Sequence, residues 1–241
     1  MINAHSLARE RLPVILTRLD LAYGRPVWHS TGPPLPELVQ TILSQHTSDV
    51  NAGRAYRSLV DHFADFAAVR DAPAPMVADS IRVGGLAEVK AGRIQAVLRA
   101  LSANGNAPSL PDLTAMPMAH ARQLLVALPG VGPKTAACVL LFSLGLPALP
   151  VDTHVHRVSC RLGLIPGSTT ADAAHGMLEA LVPPDDVYRM HVGLIRHGRR
   201  ICRAPTPRCD ECVLADLCPY RANGNGHPSD ARIVTSPPKT R

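Results

Sequence analysis

The chain has 241 residues, enough for one large domain or two small ones. It is 46% hydrophobic and 18% charged, an ordinary globular balance, while a net charge of +6 and a pI near 9.3 favour a polyanionic partner. No run of about eighteen apolar residues occurs, which excludes an α-helical membrane span, and MINAHSLARERLPVIL has neither the apolar core nor the cleavage site of a secretory signal, so the expected compartment is the cytoplasm.

Helical periodicity runs through the chain. Leu12, Ile15, Leu16 and Leu19 recur at i, i+3, i+4 and i+7 and predict a first helix. HSTGPPLP at 29–36 interrupts it, and Leu35, Leu38, Val39, Ile42 and Leu43 mark a second helix entered through Pro36. Ser48 is placed to cap a third helix reaching about Phe63. Ile94, Val97, Leu98 and Leu101 repeat the pattern, and a further helix fits 116–127. Pro129, Gly130, Val131 and Gly132 then form a tight turn, with Pro133 at the first position of the next helix. Ala137, Leu140, Leu141 and Leu144 are its buried stripe, and GLPALP at 145–150 ends it. Helices follow over 153–162, 171–182 and 187–201, and the polar, Gly- and Pro-rich stretch 223–241 reads as a flexible tail. Sustained strand-like alternation is absent. The fold class is all-α.

The glycine turn carries the first chemistry. Gly130 and Gly132 permit backbone angles closed to other residues and allow a ligand to approach, and their N–H groups precede a helix N-terminus, a ready phosphate site. Lys134 lies in that first turn, where the helix dipole disfavours a second positive charge. Lysine is scarce: of 25 basic residues only Lys90, Lys134 and Lys239 are lysines. The arginine excess suits bidentate phosphate contacts and is equally explained by an arginine-biased genome. Asp152 follows Lys134 by eighteen positions, where it suits a helix N-cap and also a catalytic carboxylate.

Four of the six cysteines cluster. Cys202, Cys209, Cys212 and Cys218 have six, two and five residues between them, and in a chain without a secretion signal this points to metal, with zinc and an iron–sulfur cluster both open. The flanking Arg196, Arg199, Arg200, Arg203 and Arg208 would more than offset the negative charge of a thiolate-held cluster and turn a positive face to a phosphate backbone. Cys138 and Cys160, on apolar helices, read as small buried residues.

The hairpin, Lys134, Asp152 and the cysteine spacing together resemble the bifunctional, iron–sulfur type of the endonuclease III family of helix-hairpin-helix DNA glycosylases, over about residues 6–220. The resemblance implies two helical lobes with a DNA-binding cleft between them. A six-helix barrel with the helix-hairpin-helix covers 32–146, and residues 1–31 with 147–222 form an iron–sulfur lobe. It implies a 4Fe–4S cluster on Cys202, Cys209, Cys212 and Cys218. It also implies a monomer that works on double-stranded DNA containing damaged bases or abasic sites, in the nucleoid of a prokaryote.

By the same resemblance, Lys134 attacks the sugar C1′, expels an oxidised pyrimidine and forms an imine that permits β-elimination, with Asp152 stabilising developing charge or taking a proton. VGGLAEVK at 83–90 resembles the family loop that carries an aliphatic wedge, which makes Leu86 the residue that fills the vacated stack. LSQHTSD at 43–49 resembles the segment that enters the duplex opposite the lesion; Gln45 and His46 compete for that role, and Gln45 is favoured for its amide. Gly130, Gly132, Arg203 and Arg208 are the expected phosphate contacts. His154 and His156 read as helix-end hydrogen-bonding groups. Val126 departs from the family, whose well-known bacterial form has glutamate a turn before the hairpin, and this puts fine substrate preference in doubt. The competing readings are a uracil/thymine or adenine mismatch glycosylase and, in another class, a non-catalytic iron–sulfur DNA-binding protein.

Overall fold

The computed structural model describes residues 4–102 and 106–224; from residue 225 onward the expected tail lies outside the described residues. Every regular element among the described residues is helical. In chain order these are α1 (Ala4–Tyr23), α2 (Pro34–Ser44), α3 (Asp49–His62), α4 (Phe66–Asp71), α5 (Ala74–Ser80), α6 (Ala87–Ala100), α7 (Met118–Val126), α8 (Pro133–Cys138), α9 (Thr153–Arg161), α10 (Ala171–Leu181), α11 (Val187–Arg200) and α12 (Pro219–Ala222). No described helix is long and apolar enough to cross a membrane.

The chain forms two compact units, one from Val27 to Pro150 and the other from the residues up to Pro26 with those from Val151 onward. The Val27–Pro150 unit closes on one apolar core, in which Leu38, Ile42 and Leu43 of α2 meet Leu59 of α3, Ile94 and Leu98 of α6, Leu125 of α7 and Leu140. In the other unit α11 packs on α9 and α1, and α10 touches both α1 and α9. Leu12, Ile15, Leu16 and Leu19, the stripe read from α1, are buried there with Val155, Val158 and Leu194.

Caps place several helix starts where the sequence marks them. The Ser48 side chain accepts from the Asn51 amide at 3.3 Å and starts α3. The second helix begins at Pro34, two residues before Pro36, because Pro33 supplies the extended entry. Helices α4 and α5 are absent from the periodicity reading. They have six and seven residues, too short to show a repeat, and rest instead on the Asp65 cap, which accepts from Ala68 N at 2.7 Å, and on Pro73.

The hairpin helix departs from a uniform α-helix. After Cys138 it widens to a π-turn over Val139–Ser143. Trp28 and the start of the breaker segment 29–36 supply partners for the carbonyls at its end. Trp28 Nε1 donates to Leu141 O at 2.8 Å, Thr31 N to Phe142 O at 3.0 Å and Ser30 Oγ to Ser143 O at 2.8 Å. Gly145 turns the chain away at φ +69°, close under the Trp28 ring, where a Cβ would stand 3.2 Å from it. This clamp fixes the far end of the helix whose first turn carries Lys134. Replacing Trp28 with Phe keeps the ring and removes the N–H, so stability should fall by about 1 kcal/mol. Urea denaturation followed by circular dichroism measures it, and an unchanged midpoint would show that the indole donor contributes nothing.

Candidate functional site

The hairpin joins α7 to α8 through a turn in which Val131 N donates to Leu128 O at 3.1 Å. Gly130 takes φ +73°, a left-handed angle that excludes most side chains. Gly132 differs from expectation: it lies at φ −94°, ψ 177°, an ordinary extended N-cap open to any residue, and a Cβ there would meet nothing within 4 Å. Glycine at 132 therefore leaves open space in front of the helix instead of permitting an unusual angle. Lys134 follows in the first turn of α8, half-buried, beside buried Thr135.

Two loops of the same unit hold the residues expected to probe a duplex. Gln45 closes α2 and His46 follows it at φ 53°; Leu86 stands at the N-cap of α6 at φ 50°. These two are the positive-φ residues other than glycine among the described residues, a backbone cost that concentrates at working sites. Leu86 is 55% exposed, so it is no core contact, and His46 is exposed as well. Gln45 is engaged. Its Oε1 accepts from Arg93 Nη1 at 2.7 Å and its Nε2 donates to Thr135 Oγ1 at 3.5 Å. The Arg93 side chain also lies over Gly130, where a Cβ would come within 3.3 Å of it. Arg93 thus joins the Gln45 loop to the hairpin, and nothing in the spacing of the sequence singled it out. Lys90, one turn earlier on α6, is buried, with Nζ donating to the carbonyls of Leu43 at 2.7 Å and Gly84 at 2.8 Å; burial lowers its pKa.

In the other unit Asp152 caps α9, its Oδ1 accepting from Val155 N at 2.7 Å. His154 Nδ1 pairs with Arg157 Nη2 at 3.1 Å, and Arg157 reaches on to the carbonyls of Gly198 and Cys202, each at 3.0 Å. His156 hydrogen-bonds Thr169 O at 2.7 Å, a structural contact. Arg203 is exposed, with its Nε on Arg199 O at 3.2 Å. Arg208 is more committed: it donates to Arg200 O at 2.7 Å and pairs with Glu211 at 3.0 Å, so a phosphate would have to displace these partners.

None of the four clustered cysteines is in a disulfide, and all four line one cavity with Leu162, Ile201 and Ala215. Cys138 and Cys160 do not line it; Cys138 is buried and Cys160 half-buried. Among the described residues no three or more His, Cys, Asp or Glu gather into a site for a metal ion; the thiols stand around the cavity wall. Hydrogen-bond donors face two of the sulfurs. Arg161 Nη1 reaches Cys202 Sγ at 3.4 Å and Leu214 N reaches Cys212 Sγ at 3.4 Å, while His197 Nε2 stands 3.6 Å from Cys212 Sγ. His197, whose other nitrogen meets the Tyr23 hydroxyl at 2.9 Å, is driven down to about 4 by burial and stays neutral at pH 7. Burial pushes Cys212 up to about 11 and raises Cys209. In donor type the four sulfurs match a thiolate-held metal centre, whose cation would take the place of the thiol protons.

Residues 39–184 match the family model of the HhH-GPD superfamily base excision DNA repair protein. The chain is 35% identical over 199 residues to Endonuclease III of Thermotoga maritima, covering 82% of this chain and 89% of that one. It is 34% identical over 208 residues to Endonuclease III of Escherichia coli K12, covering 86% and 94%. Among solved structures, a trapped Endonuclease III–DNA covalent intermediate superposes with a TM-score of 0.77 at 27% identity, over 90% of this chain and 98% of that one. A thermostable thymine-DNA glycosylase shares the fold, with a TM-score of 0.75 at 24% identity over 92% and 100%.

The cap at Asp152 makes a separable prediction. Asparagine caps as well as aspartate, so Asp152→Asn should unfold at the wild-type midpoint, whereas Asp152→Ala should lose about 1 kcal/mol. Thermal or urea melts compare the two, and equal losses would show that the carboxylate does more for the fold than cap α9.

Proposed function

We propose that this chain, which belongs to the endonuclease III family of the HhH-GPD superfamily and is a DNA N-glycosylase of base excision repair with AP lyase activity, removes oxidised pyrimidines from duplex DNA through a Schiff base on Lys134. The observation that carries the reading is the half-buried Lys134 in the first turn behind the glycine hairpin, next to the residue that Gln45 meets. In the proposed reaction the Lys134 Nζ–C1′ bond forms as the bond from C1′ to the base breaks, and the base leaves with the electron pair and is protonated. Loss of a proton from Nζ and opening of the sugar give an imine. Removal of a C2′ proton then expels the 3′ phosphate, and water releases the enzyme. The covalent DNA intermediate named for the related Endonuclease III structure supports this chemistry.

Asp152 is assigned to stabilise positive charge on the sugar or to accept a proton. Leu86, exposed and already in a left-handed conformation, is assigned to fill the stack vacated by the extruded base. For the residue that enters opposite the lesion, the amide of Gln45 was the stronger candidate on chemistry alone. The geometry favours His46, which is exposed, while Gln45 would first give up Arg93 and Thr135. Gly130, the open approach at Gly132, and Arg203 are assigned to phosphate, with Arg208 following on exchange of partners. Residues 32–146 are assigned as the six-helix barrel and 1–31 with 147–222 as the cluster lobe of a monomer that works on damaged chromosomal DNA in the cytoplasm.

The family is associated with a 4Fe–4S cluster, and Cys202, Cys209, Cys212 and Cys218 are assigned to hold it. When bound, the cluster would supply a rigid charged anchor for the loop and no step of base removal. Arg161, Leu214 and the neutral His197 would direct donors at the thiolate sulfurs, and the exposed Arg203 would keep the loop positive toward DNA.

Borohydride reduction with a duplex containing an oxidised pyrimidine should trap wild-type protein on DNA, and Lys134→Ala should give no adduct. Asp152→Asn, folded normally, should release base on the order of 10²-fold more slowly. Absence of an adduct with every lesion would overturn the lyase assignment, and preference for uracil or thymine mismatches would overturn the substrate class. Native protein should contain about four iron atoms per chain and absorb in the visible; a colourless zinc-loaded protein would refute the cluster, and Cys212→Ala should lower the iron content.

A further inference from the structure

We infer that Lys90 is a positioning residue whose ammonium ties together the two segments that carry the candidate DNA probes, the end of α2 that leads into Gln45 and His46, and Gly84–Leu86. Lys90 is 1% exposed, and its Nζ donates to Leu43 O at 2.7 Å and to Gly84 O at 2.8 Å. Each carbonyl belongs to the residue two before a candidate reader: Leu43 precedes Gln45 and Gly84 precedes Leu86. The partners are main-chain oxygens of two segments far apart in sequence, not a carboxylate that would neutralise the charge.

Packing alone does not account for a lysine here. Its neighbours on the same face of α6, Ala87, Ala91 and Ile94, are buried and apolar, and a methionine of similar length would fill the space without burying a charge. What the ammonium adds is a set of diverging donors on one atom, able to meet two acceptors from two loops at once. The loop it holds is already close-packed. A Cβ on Gly84 would stand 3.0 Å from the Ala55 Cβ and 4.0 Å from Lys90 Nζ, so residue 84 must be small for the loop to sit down on α3. Arg93 makes a second tie from the same helix, one turn on, to Gln45 and over Gly130. Helix α6 thereby spaces three features against one another: the Leu86 wedge, the Gln45–His46 segment and the hairpin.

The functional half of the inference rests on the assignment of these loops to duplex probing, whereas the tie itself can be read in the free protein. Lys90→Met removes the donors at similar volume, and Lys90→Arg keeps the charge on a planar head that cannot reproduce both contacts. In the free protein the Gln45 and Gly85 amides, bonded to Ile42 O and Arg82 O, report on the two loops separately. Hydrogen exchange at both should quicken about tenfold or more in the variants while the middle of α6 stays protected. On DNA, base release from a paired lesion should slow on the order of 10²-fold in kcat. Borohydride trapping on a preformed abasic site, which needs no base extruded, should change by about threefold or less.

Faster exchange in one loop only, or in neither, overturns the tie. Equal losses in base release and abasic-site trapping overturn the positioning role and leave Lys90 a fold residue. If Lys90→Met does not fold, Lys90→Arg carries the same readouts. A wild-type protein that traps no DNA at all would sink the lyase reading, and the exchange measurement would still decide whether Lys90 holds the loops.

Discussion

An α-helix leaves amide hydrogens unpaired at its start and carbonyls unpaired at its end, and a chain built from short helices has many such ends to satisfy. In this protein the candidate chemistry sits at those ends. Asp152 caps α9, Leu86 stands at the N-cap of α6, Gln45 closes α2 and Lys134 lies in the first turn of α8. The cysteine loop starts where α11 stops. Helix interiors are occupied with packing, whereas a terminus already looks outside its own backbone for partners. A polar side chain placed there can serve the helix and still face a ligand.

How each end is satisfied separates structural residues from working ones. The carbonyls that close the hairpin helix are taken up by Trp28, Ser30 and the Thr31 amide, and this leaves its other end, with Gly132 and Lys134, open to approach. The two lysines of this unit divide in the same way. Lys90 is enclosed with two carbonyls that take two of its three donors, and Lys134 stands half-buried at the open end. The thiols make a third case. Burial works against ionisation of Cys209 and Cys212, while Arg161 faces the Cys202 sulfur and Leu214 and His197 face that of Cys212, contacts that favour thiolate once a cationic centre is present.

Much of the fold was legible because its signals are local. Long helices such as α1 and α11 show their buried stripe in the residue repeat, and Ser48 and Asp152 announce the starts of α3 and α9 by residue type and position. Helices α4 and α5 were missed because six or seven residues hold too few turns for a repeat to register. The glycines of the hairpin looked equivalent, yet only Gly130 takes a left-handed angle, since the second has already turned into the extended N-cap of α8. Lys90 carries a signal in the sequence. It occupies the apolar face of α6 with Ala87, Ala91 and Ile94, where a charged residue is out of place unless something pairs with it. Arg93 had none, because its partners come from α2 and the hairpin.

By itself the sequence determined that the chain is helical, where most helices begin and end, that a glycine turn precedes Lys134, and that four thiols fall within one short segment. These follow from hydrogen bonding and periodicity among residues a few positions apart. Tertiary structure alone decided which distant groups meet. Trp28 reaches Leu141 across 113 positions, and Lys90 reaches Leu43 across 47. It also decided that Arg93 spans from Gln45 to Gly130 and that Arg161 faces Cys202. Such contacts depend on how helices pack around a shared core, and no spacing along the chain encodes that packing.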